Sequence, residues 1–538
     1  MNIVRFLIIG LAVFGMIACK MDNKPSTKTK PNVIILLADD LGWVDLSTDK
    51  TNLGNGSDYY QTPNIDALAD RGISLSSMYA CQNCAPSRAA LMSGQYAPRT
   101  KVYNVHSLDR GDENSLIKPI NNLHELNADL ITIAETFKKA GYVTSHFGKW
   151  GIGNRNIIET EHGFDISYCS AITKVAKKIT TGYYPEEDEN GNLQFSMYSD
   201  MKGSRTSAFT SPYSQEYVDK YLKPYANGNN PDLLVGTRKH LTDAMADATE
   251  DFLSKTRYEY GEGKPFFMYV AFNQVHVPVE PRLDLEEKYK HIESTDPRHN
   301  NKQFAPFIEQ LDQVVARILD QLKDPNGDGK YNDDLSNNTI VIFTSDNGGL
   351  GGQFTSNAPL KGWKGMQSEG GIRVPFIAYF PKYIEGGKTS EVLGHFVDIY
   401  PTLADLADVS LPDESIHLLD GHSLKSALCG GSDVNHPVFG HFPGYMDNRS
   451  VPCSYVIGDV DKKRYKLFFY YDKQEYEFYC LSDDISESKN LMEDNENKDA
   501  FEIARKLKKE LSDWLIKMNP EPITYRENGE RVPGLGPL

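Results

Sequence analysis

The segment from Cys84 to Gly94 brings together residue types that could act on an anion. Its sequence, Cys-Ala-Pro-Ser-Arg-Ala-Ala-Leu-Met-Ser-Gly, predicts a helix, because Pro86 suits a first turn and the residues that follow favour helix interiors. Cys84 would then lie at a helix N-terminus, where free N–H groups and the helix dipole attract negative charge. Arg88 adds a planar guanidinium one turn further on. These residues predict a nucleophile in an anion-binding site, although a lone cysteine beside a helix is more often simply buried.

Two pairs of oxygen-bearing residues follow apolar runs and could bind a metal ion. Asp39 and Asp40 end one such run, and Asp346 and Asn347 end another. The carboxyl ends of strands in an open α/β sheet carry its ligand sites, so we expect the pairs to meet there. With no Cys/His cluster beside them, they suit Ca²⁺ first and Mg²⁺ second, rather than zinc. The acidic segment 324–334 begins like a calcium loop but lacks the closing glutamate, which favours a tight turn over a second calcium site.

The elements that must position these residues alternate between strands and helices. Each predicted strand of the large domain delivers polar residues at its carboxyl end, which indicates an α/β fold with a large, doubly wound, mostly parallel sheet. We place this domain at 32–430 and a small α+β subdomain with an antiparallel sheet at 431–538. The segment 171–231 has no clear period and predicts an insertion. The predicted strands are 32–38, 142–147, 265–272, 339–344, 455–459, 464–471 and 475–481, and the main predicted helices are 63–71, 84–93, 128–140, 396–407 and 498–517.

The segment 84–94 resembles the signature of the sulfatase family, Cys-x-Pro-Ser-Arg followed by Leu-x-x-Gly. The residues around Lys149, His276 and Lys364 and the segment 398–402 also resemble that family, so that the likeness extends over nearly the whole chain. It implies an alkaline-phosphatase-like fold, of the kind found in bacterial exported sulfatases that act on glycans. It also implies hydrolysis of sulfate esters.

In the sulfatase family the signature cysteine is oxidised after synthesis to formylglycine (3-oxoalanine). The resemblance implies that a formylglycine-generating maturase converts Cys84 in this way, and that the new oxygen binds a divalent metal. The other metal ligands that it implies are Asp39, Asp40, Asp346 and Asn347. One hydroxyl of the hydrated aldehyde would displace the alcohol from sulfur, and the second would then expel sulfate and restore the aldehyde.

The resemblance implies further roles on the substrate side. Arg88 would orient the hydrated aldehyde, Lys149 and Lys364 would hold sulfate oxygens, and His276 would protonate or hydrogen-bond the leaving oxygen. One position departs from the family, because Gly151 stands where members commonly carry a histidine thought to assist sulfate release. Lys149, His276, a water molecule or another histidine, such as His106, remain open as replacements.

The first residues of the chain predict export. Arg5 precedes the apolar run 6–17, which is too short to span a bilayer but suits a signal peptide. The run leads to Cys19 in a segment that resembles a bacterial lipoprotein box, so we predict a lipoprotein-type signal peptide at 1–19, with ordinary cleavage as the alternative. Residues 20–31 predict a flexible linker. The mature protein would lie in the periplasm or at the cell surface, lipid-anchored to an outer membrane.

Composition narrows the possible partners. The chain has 538 residues and a formal net charge of −17, which argues against nucleic-acid binding and requires local positive charge to attract an anionic substrate. Seven cysteines are too few for a disulfide scaffold. Neither disulfide pairing nor oligomeric state can be predicted from these features.

The leading hypothesis is therefore a sulfatase acting on sulfated carbohydrates, such as glycosaminoglycans or algal glycans. One alternative is a phosphonate or phosphate monoester hydrolase, since relatives share the fold and the signature. Another is a catalytically inactive glycan-binding surface lipoprotein, which the glycine at position 151 makes more plausible. The sequence predicts neither the sugar, nor the position of its sulfate, nor exo or endo action.

Overall fold

A computed structural model describes residues 29–153, 159–168, 182–187, 191, 193–195, 209–431, 435–494 and 496–538. The predicted signal peptide 1–19 with Cys19 and most of the linker 20–31 lie outside the described residues. So do Cys169 and much of the predicted insertion 171–231. Within the described ranges, no helix is both long and apolar enough to cross a bilayer.

An eight-stranded mixed sheet forms the centre of the fold, which confirms the predicted α/β class. Five neighbouring strands run parallel, including all four that the sequence predicted for this domain. The three strands at the other edge are short and were not predicted. Of these, Phe376–Tyr379 runs antiparallel to both of its neighbours, and the two outer strands run parallel to each other. Across the sheet the order is Lys388–Ser390, Ile73–Leu75, Phe376–Tyr379, Thr339–Ser345, Asn32–Ala38, Phe266–Ala271, Val143–Gly148 and Ile166–Tyr168.

The central strand Asn32–Ala38 is buried on both faces, as its continuous apolar run predicts. Val33, Ile35 and Leu37 face one core, and Ile34 and Leu36 face another. Helices cover both sides, so the sheet forms the middle layer of three. The helices on the first side are Cys84–Ser93, Ile133–Lys139 and Phe396–Leu406, and those on the second are Pro63–Arg71, Leu241–Asp251 and Phe304–Gln321.

One predicted helix is shorter than expected. The helix predicted at 128–140 begins only at Ile133, because Thr132 and Glu135 cap each other's backbone N–H groups at that point. Before the C-terminal part, the other α- and π-helices of the described residues are Ala97–Thr100, Gln215–Tyr217, Val218–Leu222, Phe252–Thr256, Arg257–Glu259, Leu283–Lys290, Glu369–Ile372 and Lys425–Leu428. The remaining small strands are Met78–Tyr79, Asp109–Arg110, Ile117–Lys118, Pro185–Glu187, Leu193–Phe195, Arg373–Val374, Gly394–His395, Tyr445–Met446 and Thr524–Tyr525.

The C-terminal part forms the predicted antiparallel sheet, with one strand that was not predicted at its edge. The helix Lys498–Met518 packs against it through Leu507, Leu511 and Trp514, and these residues share one apolar core with Val33 of the large sheet. The boundary between 430 and 431 stays a prediction. The four strands are Val438–Phe442, Cys453–Val460, Lys463–Tyr470 and Glu475–Cys480.

A buried ion cluster joins the C-terminal sheet to the segment that follows Lys364. The ammonium of Lys466 lies 3.0 Å from a carboxylate oxygen of Glu369 and 3.0 Å from one of Glu487, and all three side chains are fully buried. The second oxygen of Glu487 accepts a hydrogen bond from the backbone N–H of Glu369 at 2.8 Å. Removing the lysine would leave the buried carboxylate of Glu487 without its cation and Glu369 with Arg373 alone, 3.3 Å away.

We therefore expect Lys466→Met to lower the free energy of unfolding by about 3–5 kcal/mol, the usual cost of breaking a buried ion pair. Lys463→Met, on the same strand, is the matched control. Lys463 pairs with Asp483 at the surface, and its loss should cost less than about 1 kcal/mol. Urea denaturation of both variants measures the difference, and equal losses would contradict the prediction.

Candidate active site

Two adjacent parallel strands bring the four predicted metal ligands together. The last residues of Asn32–Ala38 and Thr339–Ser345 pair with each other, so the residues that follow both strands meet at one sheet edge. The backbone N–H of Asp40 donates to Asp346 Oδ1 at 3.2 Å, and Asn347 Nδ2 donates to Asp40 Oδ1 at 2.8 Å. Like these three, Asp39 is fully buried.

The cluster has the properties of a cation site. Possible ligand atoms of Asp39, Asp40, Asp346 and Cys84 all lie within 4.8 Å of one another. Within the described part of the chain, the Oδ1 atoms of Asp39 and Asn347 are buried without a hydrogen-bond partner. Burial, together with repulsion from Asp39, raises the pKa of Asp346 to about 6. A divalent cation would relieve this repulsion and give both oxygens a partner, so the residues fit a metal ion that prefers oxygen ligands.

Cys84 is the first residue of its helix, at the N-terminus that the sequence predicted. Asn83 caps this helix, because its Oδ1 accepts the N–H of Cys84 at 3.1 Å. The amide nitrogen of Asn83 donates in turn to Asn104 Oδ1 at 2.7 Å. Burial raises the pKa of the Cys84 thiol to about 12, despite the nearby charges of Lys149 and Lys364. An unmodified thiol here would stay protonated at neutral pH and would be a poor nucleophile.

Arg88 connects the helix of Cys84 to two strand ends. Its Nε and Nη2 donate to Asp346 Oδ2 at 2.9 and 2.7 Å, and its Nη1 donates to the carbonyl of Lys149 at 2.7 Å. The side chain is fully buried, so these charge-assisted bonds are shielded from water. Arg88 therefore neutralises one carboxylate of the cluster and holds the segment that carries Lys149.

Three further predicted residues form the rim of the cluster. Lys149 Nζ forms an ion pair with Asp39 Oδ2. Lys364 Nζ donates a hydrogen bond to Asp40 Oδ2 at 2.7 Å, and His276 Nε2 lies 3.7 Å from the same oxygen. The side chains of Lys149, His276 and Lys364 are 21%, 30% and 13% exposed, whereas the aspartates are at most 1% exposed. The site thus has an acidic floor and a partly open, basic rim.

These contacts change the charge states of the floor and the rim. Burial alone would raise the pKa of Asp39, but Lys149, His276 and Arg88 outweigh it, so the pKa lies well below its usual value. Burial lowers the pKa of His276, and the charge of Asp40 opposes that shift. His276 Nδ1 lies 2.6 Å from the carbonyl of its neighbour, which can only accept, so Nδ1 carries a proton and Nε2 faces the site.

Backbone hydrogen bonds tie each rim segment to the strand ends of the site. The N–H of Lys149 donates at 2.8 Å to the carbonyl of Ala271, which ends the strand next to Asn32–Ala38. The N–H of Lys364 donates at 3.0 Å to the carbonyl of Gly349, two residues after Asn347. In the loop of His276, the N–H of Val275 donates to the carbonyl of Asp39 at 2.6 Å. The rim is therefore built on the two floor strands and on the neighbouring strand Phe266–Ala271.

Gly151 faces this site without a side chain. Its φ is +75°, a conformation that favours glycine, and a Cβ atom there would lie 3.2 Å from Arg88 Cδ. A histidine at this position would be strained and pressed against the buried arginine. His106, one of the predicted replacements, is exposed.

The acidic segment 324–334 forms a turn in which its oxygens bond to the backbone. Asp324 accepts the N–H groups of Asp328 and Gly329 at 3.2 and 2.8 Å, and Asn326 accepts that of Asp328 at 2.9 Å. Asp328 accepts the N–H of Lys330 at 2.8 Å. The acidic side chains of this segment thus brace a tight turn through its own backbone N–H groups.

Two residues of the site were not predicted. Asn83 caps the helix of Cys84, and the preference of asparagine for that position could have indicated it. The hydroxyl of Tyr269 lies 3.4 Å from Arg88 Nη1, inside a strand that reads as an apolar run. A phenol in the middle of a buried run was the available signal, because such a hydroxyl usually has a partner.

Comparisons with known proteins agree with this geometry. A family model described as Sulfatase matches residues 31–409, and one described as N-sulphoglucosamine sulphohydrolase, C-terminal, matches residues 362–517. A protein of Formosa agariphila named sulfatase is 41% identical over 545 residues, covering 98% of this chain and 96% of its own length. The N-acetylgalactosamine-6-sulfatase of Canis lupus familiaris is 28% identical and covers 76% of this chain and 68% of its own length.

Solved structures show the same fold. The crystal structure of Ps i-CgsB in complex with k-i-k-neocarrahexaose aligns with a TM-score of 0.63 at 24% identity, covering 90% of this chain and 92% of its own. At that identity the likeness concerns the fold alone. The family model, which spans more than half of the chain, carries the assignment: the chain belongs to the sulfatase family and is a sulfuric ester hydrolase.

Proposed function

We propose that this sulfatase hydrolyses sulfate esters on glycans, with a formylglycine made from Cys84 and a divalent metal ion. The observation that carries the proposal is the position of the Cys84 sulfur within 4.8 Å of three buried carboxylates, beneath a rim of two lysines and one histidine. Such a rim suits an anionic group that is brought to a nucleophile at a helix N-terminus.

The state of the Cys84 thiol supports the modification. With its pKa raised to about 12 by burial, the unmodified side chain is neutral and weakly nucleophilic. A hydrated aldehyde supplies two hydroxyls, one that can attack sulfur and one whose ionisation can release sulfate while the aldehyde is restored. Arg88, whose donors are taken by Asp346 and by the carbonyl of Lys149, holds the surrounding charges in place. Conversion requires a maturase in the cell that makes the protein.

The residues that would hold the metal are Asp39, Asp40, Asp346, Asn347 and the modified Cys84. Their oxygen ligands favour Ca²⁺ over Mg²⁺, because Ca²⁺ accepts more ligands in less regular geometry. When bound, the ion supplies positive charge that polarises a sulfate oxygen and lowers the pKa of the attacking hydroxyl.

The rim residues would bind the ester and move its protons. Lys149 and Lys364 bring their ammonium groups to the mouth of the site, where they can donate to sulfate oxygens. His276 presents Nε2 on the same side and can protonate the leaving oxygen once it carries a proton there. As sulfate leaves, the second hydroxyl of the hydrated aldehyde must give its proton to a base. Gly151 has no side chain that could accept it, so the proton must pass to Lys149, His276, water or a more distant base such as His106.

Glycans are the proposed substrate class for two reasons. The named relatives include an N-acetylgalactosamine-6-sulfatase, and a structural neighbour was crystallised with a carrageenan-type oligosaccharide. We also propose export with a lipid anchor at Cys19, which would place the enzyme in the periplasm or at the cell surface, where polymeric glycans are met. Phosphate or phosphonate monoesters are the alternative substrates for the same pocket.

The first test is the chemical state of Cys84. We expect the protein made with a maturase to carry an aldehyde at position 84, measured by peptide mass spectrometry and by reaction with a hydrazide probe. Cys84→Ser should lower hydrolysis of nitrophenyl sulfate by about 10³-fold or more, because the second hydroxyl is lost. The exposed Cys429→Ser is the matched control and should retain full activity. Hydrolysis of nitrophenyl sulfate by protein with an unmodified Cys84 would contradict the proposal. So would faster hydrolysis of nitrophenyl phosphate than of nitrophenyl sulfate.

The second test concerns the metal and does not depend on turnover. Protein freed of metal with a chelator should gain about 2.7 kcal/mol of stability when Ca²⁺ is restored at 100 times its Kd, measured as a shift in Tm. Asp346→Asn should remove most of this shift. Asp324→Asn, in the exposed acidic turn, should preserve it. The opposite pattern would assign the ion to the turn rather than to the strand ends.

A third test separates leaving-group protonation from binding. His276→Gln should lower kcat by about 10²–10³-fold on a sugar sulfate, whose alcohol is a poor leaving group. The loss should be much smaller on nitrophenyl sulfate, whose phenolate leaves without a proton. The exposed His291→Gln serves as the control. Equal losses on both esters would show that His276 acts in some other way.

A further inference from the structure

Two arginines at the edge of the site share a single carboxylate. Arg110 Nη2 lies 2.7 Å and Arg449 Nη2 lies 2.8 Å from the same oxygen, Oδ2 of Asp447. Their side chains are 31% and 23% exposed. Among the described residues, neither arginine has another acidic partner within ion-pair distance. The cluster therefore carries one net positive charge and retains N–H groups that face the solvent.

This arginine pair is attached to the rim of the active site. Arg449 Nη1 donates to the carbonyl of Lys364 at 3.5 Å, and the neighbouring Ser450 hydroxyl donates to the carbonyl of Gly365 at 2.6 Å. The ammonium of Lys364 contacts Asp40 on the acidic floor. One lysine residue thus links the arginine pair to the floor, through its carbonyl on one side and its ammonium on the other.

The other side of the pair is attached to the helix that carries the nucleophile. The strands Asp109–Arg110 and Tyr445–Met446 pair in parallel, which places Met446 beside Arg110. The Sδ atom of Met446 lies 3.6 Å from the amide nitrogen of Asn83, the residue that caps the helix of Cys84. The pair is therefore held between the cap of the nucleophile and the loop of Lys364.

The charges of this region act on one another. The pKa of His106 lies below its usual value because of partial burial and because Arg110, His124 and Lys364 disfavour its protonated form. Arg110 and Lys364 therefore both act on His106, and Asp447 opposes them. A chain with a net charge of −17 repels anions in general, so this local concentration of cations is distinctive.

We infer that Arg110 and Arg449, oriented by Asp447, form a subsite for a second anionic group of the glycan, beside the ester that is cleaved. The inference rests on the proposed function and names the substrate class as glycans with two neighbouring anions. Planar guanidinium groups bind sulfate and carboxylate oxygens in pairs, so either group fits. A glycan with a single sulfate would leave this positive region without a counter-charge.

A neighbouring pair shows what a purely structural arrangement looks like. Arg526 pairs with Asp109, the residue before Arg110, and these two charges balance one to one. Because adjacent residues of a strand point to opposite sides, this pair lies on the other face of the same ribbon. Arg526→Gln is thus a matched control, with the same loss of charge on the same ribbon.

The test compares three sugars with Arg110→Gln, Arg449→Gln and Arg526→Gln. The probes are N-acetylgalactosamine 6-sulfate, its 4,6-disulfate, and the 6-sulfate linked to a uronic acid. The quantity compared is kcat/KM for a doubly charged probe divided by kcat/KM for the monosulfate. We expect Arg110→Gln and Arg449→Gln each to lower this ratio about ten-fold, mainly by raising KM for the doubly charged probe. The disulfate and the uronate arms distinguish a sulfate from a carboxylate as the second anion.

The proposed function and the subsite fail in different ways. Absence of hydrolysis of all three probes and of nitrophenyl sulfate would oppose the proposed function. The subsite can then still be tested as the ratio of affinities in a Cys84→Ser background, measured by calorimetry with the same probes. An unchanged ratio in both arginine variants, or an equal change in Arg526→Gln, would overturn the subsite and leave a structural ion cluster.

Discussion

The structure depends on keeping three carboxylates buried side by side. Asp39, Asp40 and Asp346 lie in contact at the ends of two strands, where low polarity strengthens their mutual repulsion. Three cations from three other parts of the chain oppose that repulsion: Arg88 from a helix, Lys149 from a strand end and Lys364 from a loop. The sheet, the helix of Cys84 and the loop of Lys364 can be understood as the framework that holds these six charges in register.

Much of this framework could be predicted from local sequence. Three of the four predicted parallel strands, 32–38, 265–272 and 339–344, are nearly continuous apolar runs, whereas 142–147 also contains Thr144, Ser145 and His146. All four are followed by polar residues, so their common edge follows from the rules of parallel sheets. The short strands at 73–75, 376–379 and 388–390 gave no such signal, because three or four residues are too few to show a period. The late start of the helix at Ile133 depended on the reciprocal cap of Thr132 and Glu135, which an apolar pattern does not reveal.

The site was predictable where motifs lie on single segments, and not where distant segments meet. The resemblance named Cys84, Arg88 and the rim residues, and the structure brings all of them to the predicted strand ends. Arg110 and Arg449 carry no periodic or motif signal. They meet only because a two-residue strand near each of them pairs across more than three hundred positions. The C-terminal part therefore contributes to the mouth of the site, in addition to covering the core.

The charge of the site also bears on the choice between sulfate and phosphate. Three buried carboxylates and the three cations beside them balance, while the thiol of Cys84 stays neutral. On the proposed mechanism, a divalent ion would leave two positive charges. A sulfate monoester brings one negative charge and an ionised hydroxyl brings the second, while His276, protonated to assist the leaving oxygen, adds one positive charge. The attacked complex would then carry one net positive charge. A phosphate monoester carries close to two negative charges near neutral pH and would bring the same complex close to neutrality. The electrostatic balance that keeps the carboxylates buried therefore accommodates either ester, and the preference for sulfate rests on the family to which the chain belongs.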